Sequence, residues 1–246
     1  MAAWLFFFVL VLTRISAFMM VAPVFSWHIV PVNIRAAVAV VLSLFFCVIR
    51  PTPGHLTSSA LPIVLLIFQE GAYGLVLGLI FATMFTVVQI AGRMIERQMG
   101  LAMAEVMDPL TGERTQPVGS LLDMVFVLLF LASQGHHLLL QCLARSFSTF
   151  PVGSMPSLER LLEQLISAST LSLVLGLQMA APIMGAFIVL SVVLAFLARI
   201  VPEMNILFIS MPVRVGLGIL MSMGVLSFIN QYVLSYARWV LQLLPM

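Results

Sequence analysis

Among the ionisable side chains inside apolar stretches of this sequence, Arg14 and Glu70 are the first candidates for chemistry. Arg14 interrupts the first stretch and Glu70 lies in the third. A charged side chain at the centre of an apolar helix costs about 3 kcal/mol on insertion scales, so each needs a partner or a polar cavity. Glu70 could bind a proton or an ion, or it could pair with an arginine of a neighbouring helix or subunit. Because no second acid lies nearby in the sequence, we favour the structural pairing.

The other candidate groups for catalysis or metal binding form no known motif. His136 and His137 are adjacent, so they point to different faces of a helix and are not the i, i+4 pair that binds zinc. We interpret them as a satisfied polar break or a helix end. Two cysteines, Cys47 and Cys142, make no disulfide framework. Since zinc-protease, nucleophile-elbow and phosphate-loop motifs are also missing, the sequence predicts no enzyme activity, no metal and no cofactor.

The composition indicates what kind of elements hold these residues. Of 246 residues, 62% are hydrophobic and 8% are charged, whereas about a quarter of the residues of a soluble domain are charged. The net charge of +2 is too small to indicate a nucleic-acid partner. We therefore predict an integral membrane protein that contacts lipid, with one membrane-embedded helical domain over residues 1–246.

The apolar stretches predict between four and six spans. A span needs about 20 residues. The uncharged run 164–198 would form a helix of roughly 50 Å, which is longer than a bilayer is thick. Pro182 lies in the middle of this run, so we expect either a bent helix or a hairpin of two short helices. The stretches fall at 3–25, 36–49, 60–90, 121–144, 166–198 and 206–236.

Two short patterns, one within the third stretch and one just after it, predict local contacts. Gly74 and Gly78 form a small-xxx-small face, which allows another helix to approach closely. Arg93, Glu96 and Arg97 lie within one turn and can pair at i, i+3 spacing. We interpret the second pattern as an amphipathic turn at the membrane interface.

The chain is also interrupted by polar residues and prolines in its second half. The segment 151–164 is a polar break, in which Ser157 is a plausible helix N-cap. Further on, Pro202 and Pro212 bracket an apolar piece that is too short to span a membrane. We expect the chain to turn there, near an interface or inside an assembly.

The central segment, residues 99–117, is the most unusual part of the sequence. Met99, Met103 and Met107 recur every four residues, so on one helix they would share a face. The run from Asp108 to Gly112 has the turn chemistry of a loop, with a proline in second position and a glycine at its end. Methionine is adaptable and suits a seal that conforms to variable contents. The alternative is a core-filling stripe followed by a solvated loop.

These features together resemble the FliR family, the flagellar type III export-gate subunits. The strongest motif is ARIVPEMNILFISMPVRVGLG, over residues 198–218. Each of the other motifs is weak alone, but their order and spacing along nearly the whole chain make the resemblance specific. They are Phe68-Gln69-Glu70-Gly71 through Gly78, Met99-Gly100-Leu101 through Asp108-Pro109, Gly135-His136-His137, and Ser146-Phe147 through Pro151-Val152-Gly153.

The resemblance implies a function and a set of partners. It implies a non-enzymatic pore subunit of the bacterial inner membrane, in the flagellar basal body, that passes unfolded flagellar subunits outward. The implied partners are FliP-like and FliQ-like gate subunits, with FlhB-like and FlhA-like export proteins nearby. Two alternatives remain: a related export-gate subunit of a virulence injectisome, and a secondary transporter that acts alone.

The resemblance also implies a fold and site residues. Such subunits are helical hairpins packed into a hetero-oligomeric gate rather than a regular bundle of spans. The loop 105–119 would lie in the pore as a plug, braced by the methionine face of Met99, Met103 and Met107. The plug residues are Glu105, Val106, Met107, Asp108, Pro109, Leu110, Thr111, Gly112, Glu113 and Arg114. Subunit packing and polar contacts are expected at Glu70, Gly74, Gly78, Arg199, Pro202, Glu203, Asn205 and Arg214.

Overall fold

The computed structural model describes residues 2–23, 25, 30–49, 60–100, 117–154, 157–203 and 205–243. All regular structure within these ranges is α-helical, which confirms the predicted fold class. Seven helices are described there: α1 (Ala2–Val21), α2 (Val32–Ile49), α3 (Ala60–Met99), α4 (Pro117–Ala132), α5 (Gly135–Thr149), α6 (Leu158–Ile200) and α7 (Ile206–Leu243).

The number of possible membrane spans falls within the predicted range. Across the described ranges, five helices are long and apolar enough to cross a membrane: α1, α2, α3, α6 and α7. Helices α4 and α5 make a sixth span if they count as one, although they bend by 67° at the break between them. Gln134 lies in that break with a φ of 60°, a left-handed conformation that side chains other than glycine rarely adopt. The chain therefore turns sharply just before the two histidines.

Both long C-terminal helices continue through a proline. Helix α6 has 43 residues with Pro182 inside it, so the alternative of a hairpin over 164–198 is wrong. Helix α7 begins at Ile206 and runs past Pro212, so the expected short piece between Pro202 and Pro212 is also wrong. A proline removes one backbone hydrogen bond. In apolar surroundings the chain keeps the remaining bonds, because no water replaces them.

The polar break at 151–164 is shorter than predicted. Helix α6 begins at Leu158, and the carbonyl oxygen of Ser157 accepts a hydrogen bond from the Leu161 N–H at 3.3 Å. Ser157 therefore occupies the N-cap position, as the sequence predicted. The break ends there because residues 158–164 already form the first turns of the helix.

The chain divides into two compact units. The first unit comprises Met1–Met84, Gln134–Thr170 and Ala237–Met246, and the second comprises Phe85–Ser133 and Leu171–Tyr236. Buried side chains of α1, with Phe18 and Phe81 edge to face, form part of the first core. A cluster of Phe85, Phe126 and Phe130 forms part of the second core. The single domain expected over 1–246 stays a prediction.

Candidate functional site

The first unit contains a buried ion pair between Arg14 and Glu70. The two side chains are 1% and 4% exposed, and the Arg14 Nε donates a hydrogen bond to Glu70 Oε2 at 2.5 Å. Arg14 lies on α1 and Glu70 on α3, so the partner that Glu70 requires is an arginine of a neighbouring helix. The two side chains whose charges are energetically costly to bury therefore form an ion pair within one chain.

The Arg14 guanidinium is also bound by backbone and aromatic groups. Its Nη1 donates to the carbonyl oxygens of Phe150, at 3.0 Å, and Ser146, at 3.4 Å. Its Cζ lies 4.7 Å from the centre of the Tyr73 ring and 4.5 Å from that of Phe147. Aromatic faces and carbonyl oxygens both stabilise a cation that has lost its water. The arginine therefore connects α1 and α3 to the end of α5.

The second oxygen of Glu70 fixes the turn that follows α5. Glu70 Oε1 accepts a hydrogen bond from the backbone N–H of Gly153 at 2.8 Å. Gly153 has a φ of 87°, a conformation that favours glycine. Both carboxylate oxygens are thus bound within the chain, which supports a structural role for Glu70 over the ion-site alternative.

Gly74 and Gly78 allow α1 to approach α3. A Cβ atom at Gly74 would overlap the carbonyl oxygen of Arg14, and one at Gly78 would lie 2.9 Å from that of Phe18. The predicted small-residue face therefore exists, and it packs against a helix of the same chain. The close approach also brings the Arg14 backbone next to the helix that carries Glu70.

In the second unit, Glu96 joins the two ends of the central segment. Glu96 is 5% exposed, and its Oε1 accepts a hydrogen bond from the backbone N–H of Val118 at 2.7 Å. Val118 lies in the first turn of α4, where backbone N–H groups have no partner within the helix. The sequence assigned Glu96 to an amphipathic turn with Arg93 and Arg97. Those two arginines are exposed, whereas Glu96 is buried and caps α4, so that interpretation is wrong for Glu96.

Helices α3 and α4 touch close to this hydrogen bond. A Cβ atom at Gly92 would lie only 3.0 Å from the Cα of Gly119. One turn further along α4, Asp123 lies within interaction distance of the Gln89 side chain and of Arg93. Sequence reasoning missed Asp123, although a carboxylate within the apolar stretch 121–144 carries the same signal as Glu70.

Arg214 binds the C-terminal end of α3. Its Nη1 donates to the Gln98 carbonyl oxygen at 3.3 Å and its Nη2 to Ser191 Oγ at 3.4 Å. The last carbonyls of a helix lack internal partners and carry partial negative charge, so a cation stabilises them. Arg214 was predicted to make polar subunit contacts; in the structure it makes contacts within the second unit.

Of the predicted methionine face, the described residues contain only Met99, at the end of α3. Helix α3 ends at Met99, and Gly100 follows with a φ of 77°. Met99 is buried, and a Cβ atom at Gly218 of α7 would overlap its side chain. The sequence pattern did not show this stop, because a single glycine in a helical pattern is often tolerated. Met103 and Met107 lie outside the described residues.

Most of the predicted plug also lies outside the described residues. This applies to Glu105, Val106, Met107, Asp108, Pro109, Leu110, Thr111, Gly112, Glu113 and Arg114. The nearest described residues are Gly100 before this segment and Pro117 after it.

The remaining predicted contact residues are exposed at the junction of α6 and α7. Arg199 lies in the last turn of α6, Pro202 and Glu203 lie in the connecting turn, and all three are exposed. Asn205 is exposed as well, and its carbonyl oxygen accepts a hydrogen bond from the Phe208 N–H at 3.1 Å. Their predicted role in subunit contacts stays a prediction.

The two histidines mark a helix start. Helix α5 begins at Gly135, which confirms the expected helix end. His136 Nδ1 is buried and has no hydrogen-bond partner among the described residues, so of the two expected alternatives the helix end fits and the satisfied polar break does not. Within the described ranges, no group of three or more histidine, cysteine, aspartate or glutamate side chains could hold a metal ion.

The fold and the buried polar contacts define a class, an α-helical integral membrane protein. The sequence matches the bacterial export proteins, family 1, over residues 5–238. The chain belongs to this family and is FliR-like within it.

Three relatives illustrate the similarity. The flagellar biosynthetic protein FliR of Bacillus subtilis (strain 168) is 31% identical over 90% of this chain and 86% of its own length. FliR of Pectobacterium carotovorum subsp. carotovorum is also 31% identical, over 92% and 86%. The Yop proteins translocation protein T of Yersinia pestis is 26% identical over 84% and 80%. The similarity thus extends to both flagellar and Yop translocation proteins.

Proposed function

We propose that this protein is a non-enzymatic pore subunit of the bacterial flagellar type III export apparatus. It passes unfolded flagellar subunits across the inner membrane from a position in the flagellar basal body. The observation that carries this proposal is the similarity to FliR proteins, at 31% identity over about nine-tenths of the chain. We favour the flagellar system over a virulence injectisome because these two 31% identical relatives are both flagellar proteins.

The dimensions of α6 support a role inside an assembly. Large apolar side chains along this helix are exposed from Leu162, at 48%, to Ile200, at 75%. A helix covers roughly 57 Å over that distance, whereas the hydrocarbon core of a bilayer is about 30 Å thick. Lipid cannot cover the whole of such a surface, so protein subunits cover the rest. FliP-like and FliQ-like subunits are the partners we propose, with FlhB-like and FlhA-like proteins nearby.

The central segment is the part of the chain that we assign to closing the pore. Glu96 binds the first turn of α4 and Arg214 the last turn of α3, so side chains hold the helix ends on both sides of this segment. Residues 117–119 of the expected loop 105–119 already belong to α4, so that part of the predicted bounds is wrong. A loop of this kind can move without unfolding the helices around it. In this proposal it plugs the pore at rest and leaves the path when a substrate passes.

The stand-alone transporter is the competing function from another class. Such a transporter needs ionisable groups in the membrane that are free to bind and release a proton or ion. Glu70 has both carboxylate oxygens engaged, by Arg14 and by the Gly153 N–H. This arrangement favours the export subunit.

Purification separates the two functions. The chain, tagged at its C-terminus and expressed with its neighbouring export proteins, should be extracted in mild detergent as a hetero-oligomer that contains FliP-like and FliQ-like subunits. Mass spectrometry of the purified complex gives its composition and stoichiometry. A self-contained monomer or homodimer that reconstitutes ion or solute transport alone would overturn the proposal.

A further inference from the structure

We propose that α6 binds a helix of another subunit of the export apparatus at Gln178, through hydrogen bonds to the backbone and side chain of this residue. The inference rests on the proposed function and deepens it, because it names one contact between this chain and its partners. The binding surface, called the Gln178 face below, consists of Gln178, Ala181, Pro182 and Gly185, all of them exposed.

The Gln178 face lies opposite the side of α6 that packs within its own unit. A Cβ atom at Gly176 would lie 3.4 Å from the carbonyl oxygen of Val87, so that side of α6 contacts α3. At 3.6 residues per turn, Gln178 and Gly185 point away from Gly176 and its buried neighbours. The buried residues of α6 on the packed side in this unit are Ser172, Ala180, Ile183, Phe187 and Leu194.

Pro182 leaves a backbone acceptor of this face without its usual donor. In an α-helix the carbonyl oxygen of residue 178 accepts a hydrogen bond from the N–H of residue 182. Proline has no N–H, so the Gln178 carbonyl loses that bond. Gln178 and Pro182 are both exposed, so the carbonyl between them lies on the exposed side of α6. In apolar surroundings no water replaces the missing donor, and a neighbouring helix can supply one.

The Gln178 side chain adds a second polar group at the same level. The nearest charged residue of α6 is Glu163, about 22 Å away along the helix axis. Leu177 and Val189, which flank the face, are large apolar side chains exposed by 51% and 64%. Lipid chains offer a carboxamide no hydrogen bond, whereas helices in membranes associate through such groups. The partner chemistry that fits is a hydroxyl or amide side chain, because it can both donate and accept.

The small residues of the face allow the partner to reach a backbone carbonyl. A Cβ atom at Gly185 would meet no atom of the described residues within 4 Å. Ala181 lies four residues earlier, so the two positions form a small-xxx-small pair. A donor on a second helix reaches a main-chain oxygen only if the two helices approach closely. The face therefore fits a helix better than it fits lipid.

The first test is photo-crosslinking in the complex purified with its neighbouring export proteins. Benzoylphenylalanine replaces Val189, one turn beyond Gly185 on the exposed side, or Phe187, which is buried, as the matched control. We expect Val189→benzoylphenylalanine to attach to a helix of another subunit, and the control to attach within the chain. Attachment of the Val189 probe to residues 101–116 of its own chain, to a second copy of the chain, or only to lipid would overturn the proposal.

The second test separates the hydrogen bonds from packing. Gln178→Leu removes the carboxamide, and Pro182→Ala restores the N–H that pairs with the Gln178 carbonyl. Each should make the partner dissociate roughly three- to tenfold faster from the immobilised complex, since hydrogen bonds between membrane helices contribute about that factor. Pro182→Ala should also raise the melting temperature of the chain purified alone, because alanine is the better helix former.

Gln141→Leu is the control, because Gln141 is an exposed glutamine of α5, outside the face. It should dissociate like the parent. Parent-like dissociation of both Gln178→Leu and Pro182→Ala would refute the contact while the complex itself, and with it the proposed function, stands. If the parent chain purifies with no other export subunit, the proposed function and this inference fail together.

Discussion

At the residue scale, the energetic cost of burying a charge predicts which side chains need a partner, and no motif in this chain predicts as much. The apolar surroundings of Glu70 were sufficient to predict a partner, and the structure supplies Arg14. The sequence could not identify that arginine, because the pair is separated by 56 positions and meets only through the packing of two helices. The same reasoning would have found Asp123, whereas the cap that Glu96 provides for α4 has no local sequence signal.

The ion pair gives a prediction about single and double substitutions. Glu70→Gln should destabilise the chain by about 3–5 kcal/mol, because it leaves the Arg14 charge buried without its partner. The combined change Arg14→Met with Glu70→Leu should recover much of that loss, since it removes both charges and keeps apolar volume. Denaturant unfolding of the detergent-purified protein, followed by helical circular dichroism, measures both.

Glu203→Gln is the matched control for this measurement, because Glu203 is exposed in the turn before α7. It should unfold like the parent. If Glu70→Gln also unfolds like the parent, the pair does not stabilise the fold, and Glu70 is available for another role.

At the element scale, helices were easier to predict than their ends and their partners. Apolar stretches gave the positions of the spans, and Ser157 gave the start of α6. Pro182 and Pro212 do not end their helices, because a helix in apolar surroundings tolerates one missing hydrogen bond. Gly74 and Gly78 predicted a close helix approach but not its partner, since spacing defines a face and only the fold brings α1 to it.

The close approach of α1 and α3 can be tested with one methyl group. Gly74→Ala should destabilise the chain by about 1–3 kcal/mol, because the added Cβ overlaps the Arg14 backbone, which cannot move aside cheaply. Gly185→Ala is the control, since a Cβ there would meet no atom of the described residues within 4 Å. It should be neutral or stabilising by up to about 1 kcal/mol, because alanine is the better helix former.

Both glycine variants are measured by thermal unfolding of the purified chain in the same detergent. A melting temperature for Gly74→Ala equal to that of Gly185→Ala would mean that the two helices are not in backbone contact at this position.

At the scale of the whole molecule, the sequence predicted the class of protein because composition alone excludes a water-exposed surface. It could not predict which contacts belong within the chain and which belong to an assembly. Glu70, Gly74 and Arg214 were expected at subunit contacts, yet each makes contacts inside its own unit. Arg199 and Glu203 remain exposed and therefore remain candidates for partner contacts.

Ion leak directly tests the proposal that the segment between α3 and α4 closes a pore. Cells that carry a deletion of residues 111–116 are compared with cells that carry the intact chain, at matched levels of assembled complex. We expect ion leak across the inner membrane to rise in the deletion cells, because removal of the plug would open a water-filled path. An unchanged leak, with assembly and flagellar export intact, would contradict it.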